Sequence, residues 1–173
     1  MDFAILYGIQ QAVGCPFMDA IMPAITTLGS YGLLWITVGI ILLIPAKTRR
    51  WGLTLLITMG ITWAICEFGV KEIIARPRPF MVDTEYALLI NPPGGFSMPS
   101  GHTLTAFLAA TVIAAAPIAR GWKASAWVIA ALIGFSRMYL FVHFPSDVLM
   151  GALIGVAAGL AGIWASNKIA AAA

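Results

Sequence analysis

Residues 99–118 read Pro-Ser-Gly-His-Thr-Leu-Thr-Ala-Phe-Leu-Ala-Ala-Thr-Val-Ile-Ala-Ala-Ala-Pro-Ile, a compact polar start that runs straight into an uncharged apolar stretch. A segment of this kind forms a helix whose polar groups all sit at one end, because hydrocarbon leaves a backbone no partners but its own. Four further apolar runs flank it: Pro23 to Ile44, Gly52 to Val70, Ala124 to Phe141 and Val148 to Ala165. Each approaches the ~20 residues that cross a bilayer as helix. Across the chain 61% of residues are hydrophobic, only 10% are charged and the mean hydropathy is +0.94, which excludes an ordinary soluble domain. The expected fold is all-α, an integral membrane helical bundle of about five transmembrane helices forming one domain over residues 1–173.

Residues Met1 to Ala20 are read as an interfacial helix, since Asp2, Gln10, Gln11, Gly14, Pro16 and Asp19 interrupt what would be a sixth span. The absence of a basic start argues against a secretory signal peptide. With five spans, Lys47, Arg49, Arg50, Arg120, Lys123 and Lys168 fall on one side of the membrane, which the positive-inside rule makes cytoplasmic. The C-terminus is then cytoplasmic and the remaining polar clusters face outward from the plasma or inner membrane. The pI of about 9.1 reflects these topology anchors; nucleic-acid binding would need a soluble basic face.

The two histidines of the chain both lie in polar clusters on that outer side: Pro99-Ser100-Gly101-His102, and Ser136-Arg137 followed by His143 and Asp147. A third cluster is Lys71 followed by Arg78-Pro79. In order and spacing these three match the signature motifs of the type 2 phosphatidic acid phosphatase superfamily, which includes the vanadium haloperoxidases. The resemblance covers 71–147, and together the three motifs are highly specific.

Phosphoryl transfer needs a nucleophile, a proton donor for the leaving oxygen and fixed positive charge around the equatorial oxygens. His143 precedes Pro145, a residue suited to a first helical turn, and Asp147 falls within that turn, so carboxylate and imidazole come within reach of one another. Ser100 and Gly101 open a helix whose free amides suit an anion. Arg137 near the end of an apolar helix is costly to insert and therefore read as functional. The resemblance implies the roles: His143 as nucleophile, Asp147 as its orienter, and His102 as the group that protonates the leaving oxygen. It assigns Lys71, Arg78, Ser100, Gly101 and Arg137 to the phosphate. Glu67, one turn before Lys71, is expected to pair with it. Arg76 lies outside the motif and is expected to be a solvated loop charge, with contact to the second phosphate of a diphosphate substrate as the alternative.

The irregular stretch from Arg76 to Met98, with its Pro and Gly clusters, reads as a rim loop over the site. Cys15 and Cys66 lack metal spacing, and with both histidines and Asp147 already placed in the phosphatase pattern no metal or other cofactor is expected. Gly151, Gly155 and Gly159 form a small-residue stripe read as packing within the bundle; oligomeric state is left open. A transporter would spread polar residues toward mid-bilayer instead of gathering them at one interface. The expected partner is a lipid phosphate in the bilayer. Resemblance to short bacterial members of the superfamily implies undecaprenyl diphosphate, with phosphatidylglycerophosphate, phosphatidate and lipid A 1-phosphate as alternatives.

Overall fold

A computed structural model describes residues 1–172, and among these every regular element is helical. Helix α1 spans Asp2–Val13 and ends at Gly14; α2 begins again at Pro16, in the first-turn position where proline costs nothing, and runs to Leu28. The interfacial helix expected over Met1 to Ala20 is thus shorter, and its last residues belong to α2. Leu6 is fully buried, and Phe3 packs edge-on against Phe144 at 5.1 Å, so α1 lies over the turn that carries His143.

The run from Pro23 to Ile44 is not one continuous helix. It breaks at Gly29–Gly32, where Tyr31 (φ 54°) and Gly32 (φ 67°) turn left-handed, and α3 (Leu33–Leu43) leaves at 43° to α2. Helix α4 (Arg49–Ile65) continues through a π turn at Cys66–Val70 into the short α5 (Lys71–Ile74), and α6 occupies Pro79–Val82. Such π turns displace the side chains that follow them, here Lys71. Then come α7 (Gly101–Ala115), α8 (Arg120–Tyr139) and α9 (Pro145–Ala172).

Among the described residues two helical runs, Arg49–Val82 and Pro145–Ala172, are long and apolar enough to cross a membrane, and three if the bent α2–α3 pair is one span. The expected span at Thr103 to Ile118 becomes the 15-residue α7, about 22 Å long at 1.5 Å per residue, short of a ~30 Å hydrocarbon core. The reason is its place: Leu104, Ala106, Leu108, Ala109, Ala110 and Val112 are all fully buried, so α7 is the axis of the bundle and faces protein, not lipid. It packs most extensively against α9 and α8. The α9 stripe makes this possible. A Cβ on Gly151 would stand 2.6 Å from the Ser100 carbonyl oxygen, one on Gly155 would meet the Leu104 carbonyl, and one on Gly159 would be 2.8 Å from Thr111 Cβ. The stripe therefore packs inside the bundle, as its spacing implied.

Chain direction collects the N-termini of α7 and α9 and the C-termini of α5 and α8 at one end, with the rim loop. At the opposite end Arg50 donates to Asn167 Oδ1 at 3.2 Å, joining the start of α4 to the end of α9. Both cysteines are free, Cys15 exposed and Cys66 buried.

Candidate active site

His143 lies in the turn between α8 and α9, outside both helices, and is buried to 2% exposure. Phe141 enters the left-handed region (φ 58°), and the amides of Val142 and His143 both return to the Arg137 carbonyl, at 3.2 and 3.3 Å. This tight turn fixes the imidazole. Its Nε2 is 3.1 Å from Arg78 Nη1, and Nδ1 is 3.4 Å from Ser97 Oγ and 3.7 Å from Asp147 Oδ2. A guanidinium has only hydrogens to offer, so Nε2 presents its lone pair and the ring proton sits on Nδ1. Burial, aided by Arg137 and Arg78 and opposed by Asp147, holds the imidazole well below its ordinary pKa and keeps it neutral.

Asp147 is wholly buried. Its Oδ2 accepts from the Ser97 hydroxyl at 2.5 Å and the Phe144 amide at 2.8 Å, and its Oδ1 accepts from Arg76 Nη1 at 2.7 Å. The backbone carbonyl of Asp147 receives the Ser100 amide at 3.1 Å, tying the first turn of α7 to that of α9. Ser100 is also fully buried, and its Oγ caps α7, accepting from Thr103 Oγ1 at 2.9 Å. It stands behind the wall of the cavity, which the first-turn residues Gly101 and His102 line instead.

Lys71, Arg78, Gly101, His102, Arg137 and His143 line a single cavity of about 1120 Å³. Arg78 is clamped by carbonyls: Nε donates to Gly95 at 2.9 Å, Nη2 to Gly94 at 2.9 Å and Nη1 to Val142 at 3.1 Å. Burial lowers its pKa from a value so high that the charge remains. Lys71 pairs with Glu67 at 2.7 Å, as its position one turn later implied. Arg137 donates from Nη1 to Thr26 Oγ1 at 2.5 Å, while its Nε has no partner. His102 Nε2 is likewise buried without a partner. Two orphan nitrogens beside three cations form a place for an oxyanion, since a buried polar group left unpaired costs about 1–3 kcal/mol until something fills it. Among the described residues no three His, Cys, Asp or Glu side chains gather as a metal site.

Away from the charges the cavity continues between α2, α3 and α4, past Gly29, Ile36, Leu56, Met59 and Trp63. Gly29 matters sterically. A Cβ there would lie 2.9 Å from His102 Cδ2 and 3.1 Å from Ile133 Cγ2, so only glycine leaves the imidazole its place.

Arg76 corrects the expectation of a solvated loop charge. It is three-quarters buried and forms ion pairs with Asp147 and Asp2, both at 2.7 Å. Thr26, Ser97 and Gly29 also escaped sequence reasoning. Their signal lies in contacts between segments far apart in the chain, although Ser97 stands only three residues before Ser100.

Comparison with known proteins places the chain in a family. The pattern of the PAP2 superfamily matches residues 31–170. The chain is 37% identical over 135 residues to an undecaprenyl-diphosphatase of Sulfolobus acidocaldarius, covering 74% of this chain and 62% of that protein, so it spans less than two thirds of that relative's length. It is 34% identical to phosphatidylglycerophosphatase B of Bacillus subtilis, covering 82% of this chain and 71% of that protein. Among solved structures, Aquifex aeolicus LpxE superposes with a TM-score of 0.80 at 31% identity over 94% of both chains. The PAP2-type phosphatidylglycerolphosphate phosphatase of Bacillus subtilis gives 0.77 at 32% identity, covering 97% of this chain and 85% of that one. With the motifs, the helical scaffold and these likenesses in agreement, the chain belongs to the PAP2 superfamily.

Proposed function

We propose that this membrane protein is a metal-independent lipid phosphatase that converts undecaprenyl diphosphate to undecaprenyl phosphate through a phosphohistidine on His143. The observation that carries the reading is the cavity, cationic at one end and apolar at the other. A phosphate suits the Lys71, Arg78 and Arg137 end, where the orphan nitrogens of Arg137 and His102 await an acceptor. A lipid chain suits the α2–α4 end.

In the first step the phosphate draws Arg78 onto its oxygens and uncovers Nε2, which attacks phosphorus. The Nε2–P bond forms, the bond from phosphorus to the leaving oxygen breaks, and His102, which burial and the Arg137 charge hold neutral until the anionic phosphate offsets them and it takes up a proton, donates that proton to the leaving oxygen. The Nδ1 proton stays between His143, Ser97 and Asp147, whose carboxylate steadies the developing cation. In the second step His102, now neutral, takes a proton from water; the water oxygen bonds phosphorus, and His143 Nε2 leaves with its electron pair restored. The charge required by the transition state is supplied by Lys71, Arg78 and Arg137, and no step calls for a metal.

The chain is read as passing from one face of the membrane to the other along each of its five apolar stretches, α7 doing so inside the bundle and short of the full hydrocarbon thickness, with α1 at the interface and the site on the extracytoplasmic face. Support comes from the six cations grouped at the opposite end. A second reading, a phosphomonoester of a glycerolipid or of lipid A, is favoured by Glu67, whose carboxylate lines the cavity and would repel the second phosphate of a diphosphate. The test is phosphate release by purified protein, with chelator present, from undecaprenyl diphosphate, phosphatidylglycerophosphate and phosphatidate, using His143→Ala as the blank. Preference for the diphosphate supports the first reading and preference for the monoesters the second. Turnover by folded His143→Ala, or dependence on added divalent metal, would refute the mechanism.

A further inference from the structure

Both oxygens of the buried Asp147 carboxylate are held by side chains that the three motifs leave out. Arg76 Nη1 donates to Oδ1 at 2.7 Å, and the Ser97 hydroxyl donates to Oδ2 at 2.5 Å. Having spent its one hydrogen on Asp147, Ser97 Oγ turns a lone pair toward His143 Nδ1 at 3.4 Å, nearer to that nitrogen than the 3.7 Å of Oδ2. The hydrogen-bond path from the imidazole to its acid therefore runs through Ser97. Arg76 sets this residue too, because its carbonyl accepts the Ser97 amide at 2.8 Å.

Arg76 is braced in turn. Its Nη2 donates to Asp2 Oδ2 at 2.7 Å, its Nη1 to Ser146 Oγ at 2.7 Å, and its guanidinium lies 4.1 Å from the Phe144 ring centroid. Ser146 closes the circuit by donating to Asp2 Oδ2 at 2.6 Å. Three segments distant in sequence, namely α1, the rim loop and the His143 turn, thus meet on one guanidinium.

We propose that Arg76 and Ser97 are positioning residues for phosphoryl transfer, Ser97 linking Asp147 to His143 and Arg76 fixing both, with Asp2 making α1 part of the catalytic scaffold. This rests on the reading of His143 as nucleophile and Asp147 as its orienter. A carboxylate with two fixed oxygens cannot turn away from the imidazole, and partners of this outer kind are typically worth about 10- to 100-fold in activity.

The experiment measures kcat and KM of the full-length protein for whichever of undecaprenyl diphosphate, phosphatidylglycerophosphate and phosphatidate it turns over fastest. Ser97→Ala and Arg76→Gln are expected to lower kcat by about 10- to 100-fold while KM stays within about twofold. Ser97→Thr and Arg76→Lys, which keep the hydroxyl and the charge, recover part of the loss. Asp2→Asn, at the protein surface, lowers kcat less than Arg76→Gln and serves if the latter does not fold. In an Asp147→Asn background neither Ser97→Ala nor Arg76→Gln lowers kcat further, because both act through that carboxylate. Unchanged kcat in Ser97→Ala and Arg76→Gln beside a large loss in Asp147→Asn overturns the positioning role alone, as does a rise in KM with kcat intact. Unchanged turnover in Asp147→Asn itself, or in His143→Ala, overturns the underlying mechanism instead.

Discussion

Replacing Gly29 by alanine tests whether His102 is an acid–base group held in place by the bend between α2 and α3. The backbone at Gly29 (φ −85°, ψ −8°) accepts any residue, so the substitution carries no conformational strain of its own. Its new methyl would lie 2.9 Å from His102 Cδ2 and 3.1 Å from Ile133 Cγ2. Carbon atoms settle at about 3.5–4.0 Å, so the imidazole must retreat by roughly 0.6 to 1 Å. Ile133 is fully buried and cannot absorb the shift, which leaves the ring to move toward the cavity. Overpacking of this size costs about 1–3 kcal/mol of stability, and a misplacement near 1 Å costs about 100-fold in rate. Gly29→Ala is therefore expected to stay folded in detergent while kcat at saturating lipid phosphate falls by about 10- to 100-fold. Gly121→Ala, in α8 with open space around it, is the control and leaves kcat unchanged. Wild-type kcat in Gly29→Ala would refute the idea that His102 acts from the position seen here.

Two further outcomes are expected. Gly155→Ala drives a Cβ onto the Leu104 carbonyl and to 2.9 Å from the Leu108 amide nitrogen; backbone cannot give way, so α7 and α9 separate and thermal stability in detergent falls by about 1–3 kcal/mol or more, against no change for Gly60→Ala, which meets nothing. The neutral His143 makes stability depend on pH with a definite sign. Its folded pKa is lowered, so below about 6.5 the unfolded chain binds a proton that the folded one refuses, and stability drops as pH falls from 7 to 5, by up to about 2 kcal/mol from this residue. Thermal melts of wild type and His143→Gln across that range check it: the variant should show the shallower slope, and identical slopes would mean the imidazole is not held neutral.

Much of the site was legible because its chemistry is local. Lys71, Arg78, His102, Arg137 and His143 all reach one cavity, and Asp147, in the first turn of α9, stands 3.7 Å from His143 in the turn just before that helix. What stayed hidden depends on segments that sequence does not bring together. Arg76 looks like any loop arginine until α1 places Asp2 beside it and α9 places Asp147, 74 and 71 residues away. Thr26 reads as a polar residue within an apolar run, yet it holds Arg137 from 111 positions off. The break at Gly29–Gly32 carries a local signal, since the left-handed φ of 67° at Gly32 suits glycine, whereas the need for glycine at position 29 arises from the distant His102 ring.

The depth of the site follows from how α7 is fixed. This helix is too short to reach both faces of a ~30 Å core, so something must decide which end falls short. The Ser100 amide bound to the Asp147 carbonyl at 3.1 Å places the start of α7 level with the first turn of α9, and the Gly151–Gly159 stripe then sets the two axes so close that neither can slide without a backbone collision. His102, on the first turn of α7, and His143, just before α9, are thereby held at one height by backbone contacts. Backbone-to-backbone fixation of this kind does not relax when a substrate arrives, so adjustment to the phosphate falls to the side chains that can give up a partner: Arg78, which must leave His143 Nε2, and Lys71, which must loosen from Glu67. The two groups proposed to form and break bonds are thus placed by backbone contacts, whereas Arg78 and Lys71, proposed to collect the phosphate, are held through hydrogen bonds of their own side chains, which a phosphate can replace.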